Sequence, residues 1–279
     1  MKTIPTLSAF LLCLIFMSPS YASVMVYEDF DYGHTSRIVD QGNGGVGWSG
    51  TWTVTGGPNL IRTATSGFPS TNTAFPFDRT GGRLGHNDQA NSANRSFASP
   101  VNLAQDGEVY FSFLMSYPDT GYSTALTFTH SGSESVAVSF DGSVITATAG
   151  TGSGASSGSF AVNTEYFVVG KIATSAAGND VLSVNVFKDG NVVPETESFM
   201  VSSSGFSLGG TLTGIEFTQG DSANNDGDYA FLDEFRMGSS WDAVAIPEAS
   251  SLVLMLSALA ATGYVYLRRK SCWGCCFGQ

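Results

Sequence analysis

Residues 108–117 have the sequence EVYFSFLMSY, with Val109, Phe111 and Phe113 at alternate positions. Alternation with a period of two is typical of a β-strand, because successive side chains point to opposite faces of a sheet. Seven further stretches alternate in the same way between turn residues: 125–130, 136–140, 144–148, 166–172, 181–188, 214–218 and 229–237. The pattern predicts an all-β protein with antiparallel strands.

Turn residues separate these strands and set the architecture. Asp141-Gly142 and Asp189-Gly190 are favourable sequences for two-residue hairpin turns. We expect the glycine- and serine-rich stretch 150–159 to be a mobile loop. No linker interrupts the strand pattern, so one two-sheet sandwich of jelly-roll type over residues 23–245 is favoured over two small domains.

The first 22 residues have the features of a cleavable signal peptide. Lys2 precedes an apolar stretch from Leu7 to Met17, and Ser20 and Ala22 supply small residues at the cleavage site. We expect signal peptidase to cleave between Ala22 and Ser23. An uncleaved anchor is the alternative, although the apolar stretch is shorter than the about 20 residues that span a bilayer as a helix.

The other end of the chain contains a second apolar segment. Residues 249–267 carry no charge, and their number is close to the about 20 residues of a membrane-spanning helix. Arg268, Arg269 and Lys270 follow at once, and basic residues beside a span stay on the cytoplasmic side. The sequence predicts a transmembrane helix over residues 249–267 that stops at this basic cluster, with the preceding domain exported.

The segment from Ile246 to Ser250, the apolar span and the arginine-rich end resemble the PEP-CTERM sorting segment of Gram-negative bacteria. This resemblance covers residues 246–270. It implies that an exosortase-type membrane protease recognises Pro247 and Glu248 and transfers the protein to the surface or to extracellular polysaccharide. Ala249 stands where that family has a second proline, and residues 271–279 extend beyond the basic cluster. A plain single-span membrane anchor is the alternative.

Three stretches in the middle of the chain carry a second resemblance: 26–32 (VYEDFDY), 44–52 (GGVGWSGTW) and 231–238 (FLDEFRMG), followed by Trp241. They resemble exported concanavalin A-like (laminin G-like) domains. The resemblance implies that the first and last strands pair, with Val26 to Phe30 beside Phe231 to Arg236.

Charge and cysteine content exclude several classes of function. Residues 23–248 contain eight basic and 24 acidic residues, a formal charge of −16 that repels nucleic acid. Cysteines are confined to position 13 and to a cytoplasmic tail, residues 271–279, which contains Cys272, Cys275 and Cys276. No second ligand pair for zinc follows them, so reduced thiols are expected.

Catalytic motifs are missing from the sequence. Glycosidases of laminarinase type place two carboxylates on one strand face, and their Glu-x-Asp-x-x-Glu pattern does not occur here. There is also no Gly-x-Ser-x-Gly elbow, Walker loop or His-Glu-x-x-His motif. We therefore predict that the chain is not an enzyme.

Two groups of oxygen ligands are candidate calcium sites, because calcium binds carboxylate and amide oxygens. The first group lies in a glycine-containing stretch and comprises Asp221, Asn224, Asp226 and Asp228. The second would form on pairing of the terminal strands, from Glu28, Asp29, Asp31 and Asp233. A solvated turn is the alternative for the first group. Pairing with Arg236 or Arg37 is the alternative for the second.

Four aromatic residues are candidates for a sugar-stacking platform: Trp48, Trp52, Tyr122 and Trp241. Core packing is the alternative for each of them. The leading hypothesis is a non-catalytic envelope or matrix protein that is sorted by its C-terminal segment and associates with exopolysaccharide. The competing hypotheses are a carbohydrate-binding module on a single-span anchor and an atypical glycosidase.

Overall fold

Fifteen β-strands and a short helix make up the part of the chain that the computed structural model describes. That part comprises residues 23–32, 38, 44–56, 61–64, 82–87, 91–116, 123–132, 135–141, 144–150, 152–158, 160–162, 164–188, 191–194, 196–220 and 229–245. The predicted signal peptide, sorting segment, transmembrane helix and cysteine tail lie outside it. Within these ranges no helix has the length and apolar character needed to cross a membrane.

The strands follow one another along most of the described chain. Their bounds are β1 (Val24–Glu28), β2 (Trp48–Thr55), β3 (Ile61–Ala64), β4 (Arg83–Asn87), β5 (Asn91–Asn102), β6 (Gly107–Ser116), β7 (Ser123–His130), β8 (Val136–Asp141), β9 (Val144–Ala149), β10 (Gly152–Ser157), β11 (Tyr166–Thr174), β12 (Asp180–Lys188), β13 (Val201–Phe206), β14 (Thr211–Gln219) and β15 (Tyr229–Gly238). The helix α1 (Trp241–Ala245) comes last.

Two antiparallel sheets form the fold. Sheet A has the order β13-β12-β11-β6-β15-β4-β3, with β1 also paired to β15, and sheet B has the order β10-β9-β8-β7-β14-β5-β2. Alternate residues of the central strands point between the sheets into a common apolar core. Phe111 of β6 meets Phe128 of β7 edge to face, with ring centroids 4.8 Å apart. The prediction of a two-sheet antiparallel β-protein is confirmed.

The strand predictions hold where apolar residues alternate: seven of the eight predicted stretches lie in a strand of the structure, and the eighth, 108–117, forms β6 up to Ser116, with Tyr117 outside the described residues. Asp141 ends β8 and pairs with Val144 of β9, as the predicted hairpin requires. The pairing of the first and last strands is also confirmed, with Tyr27 opposite Arg236 and Glu28 opposite Phe235.

Two local predictions are wrong. Residues 152–157, expected to belong to a mobile loop, form the edge strand β10 on β9. Asp189-Gly190 does not join two paired strands directly, because β12 pairs with β13, which begins only at Val201. The Asn191 N–H donates to the Lys188 carbonyl at 2.9 Å. The chain then continues across the outer face of sheet A before β13 begins.

A second apolar cluster covers the outer face of sheet A. It joins Tyr110, Leu114 and Phe167 of the sheet to helix α1 and to Val193 and Phe199 of the segment 191–200. The Ser112 hydroxyl donates to the Val244 carbonyl at 2.7 Å, which fixes α1 over the middle of β6. The chain therefore leaves its described part on the sheet A side of the sandwich.

Candidate functional site

Three of the four aromatic candidates are packed inside the molecule. Trp52 and Trp241 are only 1% and 5% exposed, and half-buried Trp48 packs against the core. The indole N–H groups of Trp48, Trp52 and Trp241 donate to Tyr27 O, Tyr32 OH and Pro194 O at 2.9, 3.2 and 3.1 Å. An exposed stacking platform of these tryptophans is therefore a wrong prediction, because their apolar faces and polar atoms are both used internally. Tyr122 lies outside the described residues.

Glu28 is the centre of a buried polar network rather than a metal ligand. Its carboxylate is fully buried and accepts hydrogen bonds from the Phe30 N–H at 3.0 Å and from the Tyr32 hydroxyl at 3.0 and 3.1 Å. Arg95 Nη1 forms an ion pair with the same carboxylate. Burial raises the pKa of Glu28, and the Arg95 guanidinium opposes that shift. The basic partner of Glu28 is thus Arg95, and not Arg236 or Arg37 as the sequence suggested.

The second candidate calcium site is not formed. Glu28 is occupied by Arg95, and the Asp29 carboxylate accepts the Asp31 N–H at 3.2 Å in a local turn. Across the described residues, no three His, Cys, Asp or Glu side chains are grouped closely enough to hold a metal ion. The first candidate site, within residues 221–228, lies outside the described part of the chain.

Asp233 and Glu234 lie at a bulge in β15 where the pairing to β6 shifts register. Glu234 has a φ of 50°, and its N–H donates to the Asp233 carboxylate at 2.8 Å. Burial, and then the charge of Glu234, raise the pKa of Asp233 well above its usual range. Burial also raises the pKa of Glu234, against the effect of Arg236, whose Nη2 donates to that carboxylate at 3.0 Å. Both carboxylates are only 1% exposed, so solvent has little access to them.

An open site lies where three strands of sheet B end. A shallow groove of about 320 Å³ is lined by Thr55, Gly56, Asn91, Ser92, Glu216, Thr218 and Gln219. The lining side chains are hydroxyls, amides and one carboxylate. Such groups both donate and accept hydrogen bonds, as a polyhydroxylated ligand requires.

The register of sheet B brings these residues together from distant parts of the sequence. Thr218 of β14 lies opposite Ser92 of β5, and Ser92 lies opposite Thr55 of β2. Gln219 lies opposite Asn91 of β5 and, on the other side, opposite Thr124 of β7. Gln219, Asn91 and Thr124 form the next inward-facing row of sheet B after Phe217, Ala93 and Leu126, which belong to the apolar core. The groove therefore borders the end of the sandwich interior.

Gln219 is the unusual member of this site. Its side chain is 2% exposed, yet neither its amide oxygen nor its amide nitrogen has a hydrogen-bond partner among the described residues. The Thr124 hydroxyl beside it is also buried without a partner. More than about 90% of buried polar groups in proteins are hydrogen-bonded, so an unsatisfied glutamine beside a groove is an unusual feature of this site.

Sequence reasoning missed this groove. Its residues belong to β2, β5 and β14, and only β14 was predicted as a strand from alternation. Ser, Thr, Asn and Gln are also the residues of ordinary turns and exposed strand faces. No local pattern marks them as a site, and only the cross-strand register makes them neighbours.

Comparison with known proteins gives structural likeness alone. No family model matches the chain, and no curated protein matches it. A glycosyl hydrolase family protein from Mycobacterium fortuitum is 10% identical, with a TM-score of 0.45 over 77% of this chain and 99% of that one. An endo-beta-1,4-glucuronan lyase from Trichoderma reesei is 9% identical, with a TM-score of 0.41 over 80% and 98%. TmCBM61 in complex with beta-1,4-galactotriose is 12% identical, with a TM-score of 0.31 over 68% and 88%.

Two of these structures are of a glycosyl hydrolase family protein and a lyase, which contradicts the prediction that this chain is not an enzyme. That prediction depended on the absence of familiar catalytic motifs, above all Glu-x-Asp-x-x-Glu. The absence of a motif is not a sufficient ground for excluding catalysis, and the prediction is withdrawn. At 9–10% identity the likeness assigns no reaction to this chain.

Proposed function

We propose that this chain is an exported envelope protein that binds glycan through the groove at the ends of β14, β5 and β2. The observation that carries the proposal is Gln219, which lines that groove and whose buried amide has no hydrogen-bond partner among the described residues. We assign the sandwich to the jelly-roll, concanavalin A-like type that the opening and closing strand motifs resemble.

The chemistry of the groove matches the hydroxyl groups of a sugar. An amide left unsatisfied inside a protein costs about 1–3 kcal/mol, and a bound sugar hydroxyl that both donates and accepts recovers that cost. Thr218 and Ser92 add hydroxyls on paired strands, and Glu216 adds an acceptor. Because the described lining contains no aromatic ring, hydrogen bonding rather than stacking determines the affinity.

Export and sorting form the second half of the proposal. Signal peptidase removes residues 1–22, and the segment 246–270 holds the protein in the membrane until an exosortase-type protease cleaves near Pro247 and Glu248. The mature domain then associates with extracellular polysaccharide. Helix α1 lies on the outer face of sheet A, whereas Glu216 and Thr218 belong to sheet B. Helix α1 itself therefore does not cover the groove.

The groove is tested by replacing Gln219 with leucine in the full chain, purified in detergent. Leucine has a similar volume and removes the unsatisfied amide, so Gln219→Leu should raise the melting temperature while weakening glycan binding about tenfold. Binding is measured on a glycan array and by calorimetry, with turnover of each bound glycan followed in the same samples. A structural glutamine would give the opposite result, a loss of stability with unchanged binding.

Ser203→Ala is the matched control for this variant. Ser203 is 2% exposed on β13, and its hydroxyl also has no hydrogen-bond partner, but it is not part of the groove. The control should change stability without changing glycan affinity. Equal loss of binding in both variants would remove the groove from the proposal.

Sorting is tested by intact mass and fractionation in the protein's own host, comparing wild type with Pro247→Ala/Glu248→Ala. The expected mature species begins at Ser23 and ends near Glu248, and the double variant should lack it. A membrane species that retains residues 268–279 in both strains would mean a plain single-span anchor.

A further inference from the structure

The charge of the groove restricts the kind of glycan that it can bind. Glu216 is half-buried at the wall of the groove, in the middle of sheet B between Asn94 of β5 and Thr127 of β7. No ion pair to its carboxylate is formed by any residue that the structure describes. Among the described residues, the site therefore presents a carboxylate without a basic partner.

Arg95, the basic residue of the neighbouring strand β5, is engaged elsewhere in the domain. None of the residues that line the groove is basic. The basic residue of β5 is Arg95, directly opposite Ile215, and its side chain is buried in the ion pair with Glu28. Arg95 also donates to the carbonyls of Gly44 and Gly50 at 3.0 and 3.1 Å, which keeps its guanidinium inside the domain.

The wider electrostatic field has the same sign as the groove. Residues 23–248 carry 24 acidic and eight basic residues. A field of this sign lowers the local concentration of anionic ligands and raises that of cationic ones. A polymer of uronic acids would meet repulsion both from the domain as a whole and from Glu216 itself. A sugar with a protonated amino group would be attracted both by the net charge of the domain and by Glu216.

We propose that the groove binds an amino-sugar glycan, in which a protonated amine pairs with Glu216 while neighbouring hydroxyls bond to Thr218 and Ser92. This inference rests on the proposed glycan-binding function and adds the chemical class of the ligand. An ammonium donates up to three hydrogen bonds and fits an unpaired carboxylate, whereas an acetylated amine offers one N–H and no charge.

Three oligosaccharides of equal length serve as probes: oligomers of glucosamine, of N-acetylglucosamine and of glucuronic acid. The full chain is titrated with each at about pH 6, where a sugar amine is largely protonated. We expect the glucosamine oligomer to bind tightest and the glucuronic acid oligomer not to bind measurably. Raising the salt concentration should weaken binding of the glucosamine oligomer and reduce its advantage over the acetylated one.

Glu216→Gln tests the assigned contact, because it removes the charge and keeps the shape. The variant should lose affinity for the glucosamine oligomer about fivefold and keep its affinity for the acetylated one. Asp242→Asn is the matched control: it removes the same charge from exposed Asp242 in α1, on the sheet A side. This control should leave all three affinities unchanged, and both variants should melt at the wild-type temperature.

The outcomes separate the two proposals. If the acetylated or the glucuronic acid oligomer binds as tightly as glucosamine, or if Glu216→Gln changes nothing, the ligand class is overturned while glycan binding stands. If none of the three oligomers and no other glycan on an array binds, the proposed function fails and the ligand class fails with it.

Discussion

Arg95 and Glu28 form an ion pair inside the sandwich, with side chains 2% and 0% exposed. Arg95 lies on β5 of sheet B and Glu28 at the end of β1 in sheet A, so the pair connects the two sheets. Glu28 also binds Tyr32, and Tyr32 binds the indole of Trp52 at 3.2 Å. The opening turn of the domain is therefore built around one buried charge pair.

Removing only one partner of this ion pair should strongly reduce the stability of the domain. Arg95→Met leaves a buried carboxylate without compensation and should lower the free energy of unfolding by about 3–5 kcal/mol. The double variant Glu28→Gln/Arg95→Met removes both charges and should recover part of that loss. Chemical denaturation of the three proteins measures both values. A double variant as unstable as Arg95→Met would show that geometry rather than charge governs this site.

Asp233 should give the domain a pH-dependent stability of a particular sign. Its raised pKa means that the folded state holds a proton that the unfolded chain releases above about pH 4. The contribution of Asp233 to stability is therefore greatest below about pH 4 and falls as the pH rises towards the folded-state pKa. Asp233→Asn keeps the oxygen that accepts the Glu234 N–H and removes the titration. It should be more stable than wild type at pH 7 by about 1 kcal/mol or more.

Denaturation midpoints at several pH values check this expectation. The difference between Asp233→Asn and wild type should shrink as the pH falls towards about 4, below which the unfolded chain is protonated as well. Asp31→Asn, at an exposed position in the turn after β1, is the control and should follow the wild-type curve. A difference that is constant with pH would mean that Asp233 does not titrate in this range.

Gly170 should not tolerate a side chain. A Cβ at this position of β11 would lie 2.0 Å from Cζ of Phe111, its cross-strand partner on β6. Gly170→Ala should therefore destabilise the domain by about 1–3 kcal/mol through overpacking. Phe111→Leu in the same chain makes room for the methyl group, so the double variant should lose less than the sum of the two single losses. Additive losses, measured by thermal unfolding, would contradict this contact.

Glu197 should hold the segment 191–200 on sheet A. Its carboxylate accepts Lys171 Nζ at 2.6 Å and is also hydrogen-bonded by the Tyr110 hydroxyl. Because Glu197 is partly exposed, Glu197→Gln should reduce global stability by less than about 1 kcal/mol. Limited proteolysis within residues 191–200 should nevertheless become faster. Glu108→Gln is the control, since it alters the same network without altering the segment, and its cleavage rate should stay close to that of wild type.

The strands that sequence reasoning found share one property, an apolar core face that alternates with a polar outer face. β14 illustrates it, because Phe217 is buried and its neighbours Glu216 and Thr218 are not. β5 escaped prediction because its sequence, NSANRSFASPVN, contains polar residues at buried positions and a proline, which cannot donate to a ladder. Its burial depends on pairing with β14 and β2, and no single-strand pattern encodes that pairing.

The site was harder to predict than the fold for a related reason. Glu28 was singled out for its neighbouring carboxylates, but its true partner, Arg95, lies 67 residues away. The tryptophans were singled out for their chemistry, although the composition does not show whether an indole is exposed. Gln219 carries no signal of its own, because the absence of a hydrogen-bond partner exists only after folding.

The contact between the edge strands β10 and β13 affects how readily molecules of this protein can associate through their strands. Gly154 of β10 approaches β13 so closely that a Cβ there would lie 2.3 Å from the Ser202 carbonyl oxygen. The edge strands of sheets B and A thus shield each other along one side of the sandwich. An incoming strand from another molecule has no room to add to either edge, so this side is protected against the strand-to-strand aggregation to which edge strands are prone.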